Sequence, residues 1–136
     1  MIELERFDSI LSDSNIEIVD LRWGGGLEKD ELKDCSLYIE VFSHKHKAIY
    51  SIKFSYEYGF RVVDEGALLK FWDCKDYDFA KIGSFAKIKN SPWKEESTIP
   101  FVYSNDKSFL IITHNECIEV ITDDDPKIEF VKEVKR

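Results

Sequence analysis
Along much of this chain the hydrophobic positions recur every second residue, the spacing of half-buried strands. "IEIVDLRW" (16–23) alternates imperfectly and is rich in β-branched residues, which predicts a strand. "SLYIEVF" (36–42) sets Leu37, Ile39 and Val41 against Tyr38, Glu40 and Phe42, and "AIYSIKF" (48–54) places Tyr50, Ile52 and Phe54 on one face. The polar "SHKHK" between them makes the pair a hairpin. "FRVV" (60–63) and "AKIGSFAKIKN" (80–90) read as further strands, and "SPW" (91–93) as a turn. Two prolines and many polar residues predict an irregular crossing loop over 91–107. Phe109 to Thr113 and Cys117 to Thr122 flank the polar "HNE", a second hairpin. "DDDP" (123–126) then reads as a turn into a last strand, "KIEFVKEV", so that the C-terminal third forms a β-meander.

Two segments change period. "IELERFDSILSD" puts Leu4, Phe7 and Leu11 on one helical stripe, which predicts a short amphipathic helix over about residues 3–12. "SDSN" ends it, because such side chains compete for backbone hydrogen bonds. After Asp64, a plausible N-cap, Leu68, Leu69 and Trp72 recur at helical spacing, which predicts a second helix over 64–73. Gly66 weakens that helix by ~1 kcal/mol relative to Ala. The expected fold is a single α+β domain over residues 1–136. It has a twisted, mainly antiparallel sheet of about six or seven strands, packed by an N-terminal helix and a second short helix.

Composition agrees with a globular domain: 43% of residues are hydrophobic, 34% charged and 14% aromatic. No apolar run approaches the ~18 residues of a membrane helix. The acidic "MIELERFDSI" is unlike a signal peptide. Cys35, Cys74 and Cys117 are odd in number and form no C-x-x-C pair, which fits reduced thiols in a cytoplasmic protein. The net charge of −8 is unevenly spread. Residues 1–34 carry ten acids and four bases, residues 95–136 ten and five, and the 60 between them seven and ten. Such a field repels phosphate backbones and steers basic partners.

Candidate chemistry is sparse. "GGG" (24–26) lacks the Lys-Ser/Thr of a P-loop and the spaced glycines of a dinucleotide loop, so it reads as a flexible turn. His114 and Cys117 stand near each other, but Glu116 and Glu119 flank the cysteine and oppose a thiolate. As zinc ligands the two are half a site. His44 and His46 share one side of an extended tip, with lysines that oppose a cation. The adjacent Asp123, Asp124 and Asp125 repel one another unless a cation neutralises them, and a lysine or arginine of another protein serves as well as a metal. Trp93, followed by Glu95 and Glu96, fits an aromatic anchor ringed by charge or a loop pinned to the core. No cofactor, catalytic residue or resident metal is assigned.

"FRVVDEGALLKFW", "SPW" and "FLIITHNECIEVI" together resemble small bacterial immunity proteins of contact-dependent growth-inhibition and polymorphic-toxin systems. The resemblance covers about residues 60–122 and rests on texture, so it carries over no functional residue. It implies an acidic cytoplasmic inhibitor that binds the C-terminal domain of a cognate toxin, expected to be a basic nuclease, and occludes its substrate surface. The acidic clusters supply the expected contacts: Asp30, Glu31 and Asp34 after the glycine turn, Glu95 and Glu96 beside Trp93, and Asp123 to Asp125. The alternatives are a small metal-dependent hydrolase built on the aspartates and His114, and a general cytosolic adaptor. An exposed edge strand leaves pairing of two copies open.

Overall fold
Nine strands, among the residues described, pair into two antiparallel sheets that face each other. The structure is a computed structural model and describes residues 3–24, 35–64, 82–96, 98–113 and 116–135. The five-stranded sheet has the order β1-β6-β7-β8-β5, built from β1 (Glu3–Arg6), β5 (Gly59–Asp64), β6 (Phe85–Lys89), β7 (Lys107–Ile112) and β8 (Glu116–Ile121). The four-stranded sheet has the order β2-β3-β4-β9, from β2 (Ile16–Trp23), β3 (Leu37–Ser43), β4 (Ala48–Phe54) and β9 (Lys127–Glu133). One short helix, α1 (Thr98–Tyr103), and a 3-10 turn over Pro92–Glu95 precede β7.

The expected α+β fold is therefore corrected: this is a β-sandwich, with more strands than expected and no N-terminal helix packed on a single sheet. Leu4 and Phe7 take opposite faces of the five-stranded sheet. Leu4 joins the outer cluster and Phe7 packs against the inner core. Their three-residue spacing fits a helix, but a window of four strand residues contains too few apolar positions to separate the two periods. Pairing decides it. Glu3 to Arg6 run antiparallel along Lys89 to Ala86 and satisfy the backbone groups of β6, which would otherwise form the sheet edge. The expected helix over 64–73 lies, apart from Asp64 at the end of β5, outside the described residues.

The core lies between the sheets. Leu37, Ile39 and Val41 of β3 and Ile52 and Phe54 of β4 meet Phe85, Phe109, Ile111, Ile118 and Val120 of the other sheet. Phe109 sits at its centre, with Phe7, Phe54 and Phe85 packed around it at centroid distances of 5.1, 5.6 and 5.9 Å. Both pairs of strands form as expected, the first from its alternation and the second from its polar loop, with Ile39 opposite Ile52 and Ile111 opposite Ile118. The meander does not. After β8 the segment from Asp123 to Pro126 leaves its sheet, and β9 pairs with β4 of the other. The aspartates thus lie on a crossing between sheets.

Residues 92–95 and 98–103 form a 3-10 turn and a helix where a crossing loop is expected. Ser91 caps the 3-10 turn by accepting from the Trp93 amide at 3.2 Å, and Pro92 fits the first position, where its missing N–H costs nothing. α1 ends where Asn105 and Asp106 adopt φ of 56° and 61°, a conformation that Asn and Asp tolerate best among residues with a Cβ. The Asp106 amide donates back to the Phe101 carbonyl at 2.7 Å and closes the helix.

Candidate protein-binding face
The outer surface of the five-stranded sheet is not left to solvent where segment 91–103 crosses it. Glu119 of β8 points to this side and is fully buried. Each carboxylate oxygen receives two donors. Oε1 accepts from Arg61 Nη2 at 2.9 Å and Nε at 3.2 Å, and Oε2 from Ser91 Oγ at 2.5 Å and Ser108 Oγ at 2.8 Å. A buried charge is tolerable when every lone-pair direction is filled in this way. The Arg61 guanidinium also lies 4.7 Å from the centre of the Trp93 ring, and Trp93 meets the fully buried Phe101 edge-on at 5.8 Å. Carboxylate, guanidinium, indole and phenyl form one stack that fixes the turn and α1 on the sheet.

The same stack holds Trp93. Its ring is half-buried and engaged on two sides, so it pins the segment to the core. Glu95 and Glu96 are exposed at the entry to α1. At the exit, Asp123 Oδ2 accepts from Asn105 Nδ2 at 3.2 Å, two residues beyond the helix. The structure therefore brings two separately predicted acidic clusters to the two ends of one six-residue helix, about 9 Å long. Glu95, Glu96, Asp123 and Asp124 form no ion pair among the described residues.

All three aspartates line a cleft of about 250 Å³ with Glu3, Glu5, Lys89 and Lys107, and Asp125 pairs there with Lys87 Nζ at 2.8 Å. A lysine holds the place that a cation would take at that carboxylate. Asp30, Glu31, Asp34 and His114 lie outside the described residues. Cys117 is fully buried among Ile82, Ile88, Leu110 and Ile112 on the outer cluster, a setting that disfavours a thiolate. His44 and His46 diverge: His44 Nε2 lies 3.2 Å from Glu17, and His46 Nε2 lies 3.0 Å from the Ile10 carbonyl. Among the described residues no group of three or more His, Cys, Asp or Glu is placed to hold a metal.

Much of the acid at the chain ends is neutralised internally. Arg6 pairs with Asp8 and Asp13, Arg22 with Asp20, Lys94 with Asp106, and Lys53 with Glu129. The outer face of the four-stranded sheet is likewise self-compensated. There Tyr38 lies between Arg22 and Lys53, with the cations 5.8 and 6.0 Å from its ring centre, and its hydroxyl donates to Glu40 at 2.9 Å. Burial, and then this bond to Glu40, push the Tyr38 phenol up to about 12, so it stays a neutral donor.

Tyr56 and Tyr58, which sequence reasoning did not single out, run beside the acidic loop. Thr122 Oγ1 donates to the Tyr56 carbonyl at 2.7 Å, and the Tyr58 amide to the Ile121 carbonyl at 2.8 Å. The intervening Glu57 turns away and accepts from Trp23 Nε1 at 3.1 Å. The signal was the period-two "YEY" in "FSYEYGF", which places both tyrosines on one side. Comparison with protein families, curated proteins and solved structures found no match. Among the described residues no helix is long and apolar enough to cross a membrane.

Proposed function
We propose that this protein is a cytoplasmic immunity-type inhibitor. It binds a basic toxin domain, a nuclease in the simplest case, and covers that domain's substrate surface without chemistry of its own. The observation that carries the reading is the position of Glu95, Glu96 and Asp123, with Asp124 next to it in the chain: all are exposed and without internal ion pairs among the described residues, and the first three lie at the two ends of α1. Carboxylates already paired with lysine or arginine contribute little to an external field. Unpaired ones on one face attract a positive partner and accelerate encounter, which matters when the partner is lethal.

The test is co-expression with the product of the adjacent upstream gene. The chain is expected to co-purify with that product in a one-to-one complex and to restore growth to cells that make it. Growth arrest that persists while both proteins are soluble would count against the proposal. So would stoichiometric divalent metal in the purified chain together with hydrolytic activity.

A further inference from the structure
α1 divides its apolar side chains between two surfaces. Phe101 is fully buried against Trp93, whereas Ile99, Val102 and Tyr103 are 70, 62 and 64% exposed. Positions 99, 102 and 103 share one helical stripe, so these three face outward together. The stripe continues onto the neighbouring segment. Tyr103 stacks on Tyr58 with centroids 5.8 Å apart and planes 28° apart, and Tyr58 lies 6.3 Å from Tyr56. Tyr56 is 65% exposed. Stacking holds the tyrosines in place before any partner arrives, which lowers the entropy lost on binding.

We infer that this tyrosine and α1 stripe is the surface on which a basic protein docks, with arginine side chains entering between Tyr58, Tyr103 and the flanking carboxylates. The inference rests on the reading of the protein as a binder of a basic toxin domain, and it names the contact surface and the partner's chemistry. Contiguous exposed apolar side chains with a polar rim mark interaction sites, and tyrosine is enriched at their energetic centres. The rim here is acidic at both ends, through Glu95 and Glu96 before the helix and Asp123 after it. Guanidinium matches both parts, since it lies flat on an aromatic face and pairs with carboxylate. A second copy of this chain would bring like charges together. Nucleic acid would stack on the rings but meet repulsion at its phosphates.

The test uses the full chain and the peptide acetyl-Arg-Leu-Arg-Leu-amide as probe, followed by amide chemical shifts. Saturable shifts are expected at Tyr56, Tyr58, Ile99, residues 101–105, Asp123 and Asp124. The lysine counterpart is expected to bind at least threefold more weakly, and the glutamate counterpart not at all. The double variant Tyr58→Ala/Tyr103→Ala is expected to lose tenfold or more in affinity while its remaining amide shifts report an intact fold. Tyr103→Phe, which keeps the ring, is expected to bind within twofold of wild type. Shifts that scatter over all acidic positions, or that centre on the outer face of β3 and β4, overturn the inference. A wild-type dimer that Ile99→Ser/Val102→Ser disperses also overturns it, by assigning the stripe to a second copy. If the peptide maps to the stripe while no toxin is neutralised, the surface stands and the toxin-inhibitor reading fails. If the toxin is neutralised equally well by the tyrosine variant, the reading stands and the surface fails.

Discussion

Glu119 is one of 27 acidic residues in the chain, and nothing in "ECIEVI" separates it from Glu116. What separates them is a strand buried on both faces. In β8 the inward Ile118 and Val120 alternate with outward Cys117 and Glu119, and all four are buried. The alternation that identifies one-sided strands is silent when both sides are covered. Replacing Glu119 with alanine strands Arg61 and two serine hydroxyls, and a cost of about 3 kcal/mol is expected from urea unfolding. Trp93 fluorescence should change in the folded baseline of the same titration, because Arg61 would no longer be held under the indole. An unfolding midpoint equal to wild type would show that the network does not hold segment 91–103.

Glu57 gives a residue-level prediction with a definite sign. Burial raises its pKa above the usual glutamate range, against a lowering by the bond from Trp23. A raised carboxyl pKa means that the fold favours the protonated form. The stability this contributes is complete below the unfolded pKa and is lost as pH rises through the folded one. At neutral pH the ionised carboxylate is therefore a liability. Glu57→Gln is expected to unfold at higher urea than wild type at pH 7, and the gap should close toward pH 4. A gap that widens on acidification would contradict the account.

At the scale of elements, legibility followed the range of the interactions involved. The β3–β4 hairpin was readable from its alternation and the β7–β8 hairpin from its polar "HNE" loop, both local signals. The assignment of β9 to the opposite sheet was not, because pairing with β4 depends on residues about 80 positions away and leaves no local mark. α1 was missed for another reason: "TIPFVY" has a proline and three β-branched residues, and its helix is held by Phe101 rather than by propensity. Phe101 and Ile99 should consequently behave oppositely. Phe101→Ala is expected to cost about 3 kcal/mol, the usual range for a phenyl removed from a packed site. Ile99→Ser is expected to stay within about 0.5 kcal/mol of wild type in the same urea titration. Comparable losses in both would mean that the outward face of α1 is structural.

For the molecule as a whole, charge is the property that sequence reported in amount but not in place. A net −8 concentrated at the chain ends was plain from composition. Asp8, Asp13 and Asp20 are neutralised by arginines within seven residues of them, whereas the pairing of Glu129 with Lys53 and the approach of Asp123 to the exit of α1 come only from tertiary structure. Both edges of the four-stranded sheet also carry a register irregularity. β2 skips Val19 between Ile18 and Asp20, and β9 skips Val131 opposite the Ile49–Tyr50 step. Bulges of this kind twist these two edges away from pairing with another chain, whereas β1 and β5, the edges of the other sheet, pair without a register shift. The central claim is that unpaired carboxylates around α1 draw in a basic protein. It is tested most directly by the association rate between the purified chain and the product of the adjacent upstream gene, measured from 0.05 to 0.5 M salt. The expected result is a rate constant that falls at least tenfold across that range, and that Glu95→Lys/Glu96→Lys/Asp123→Lys/Asp124→Lys lowers at 0.05 M by a similar factor. A rate indifferent to salt and to those four reversals would contradict it.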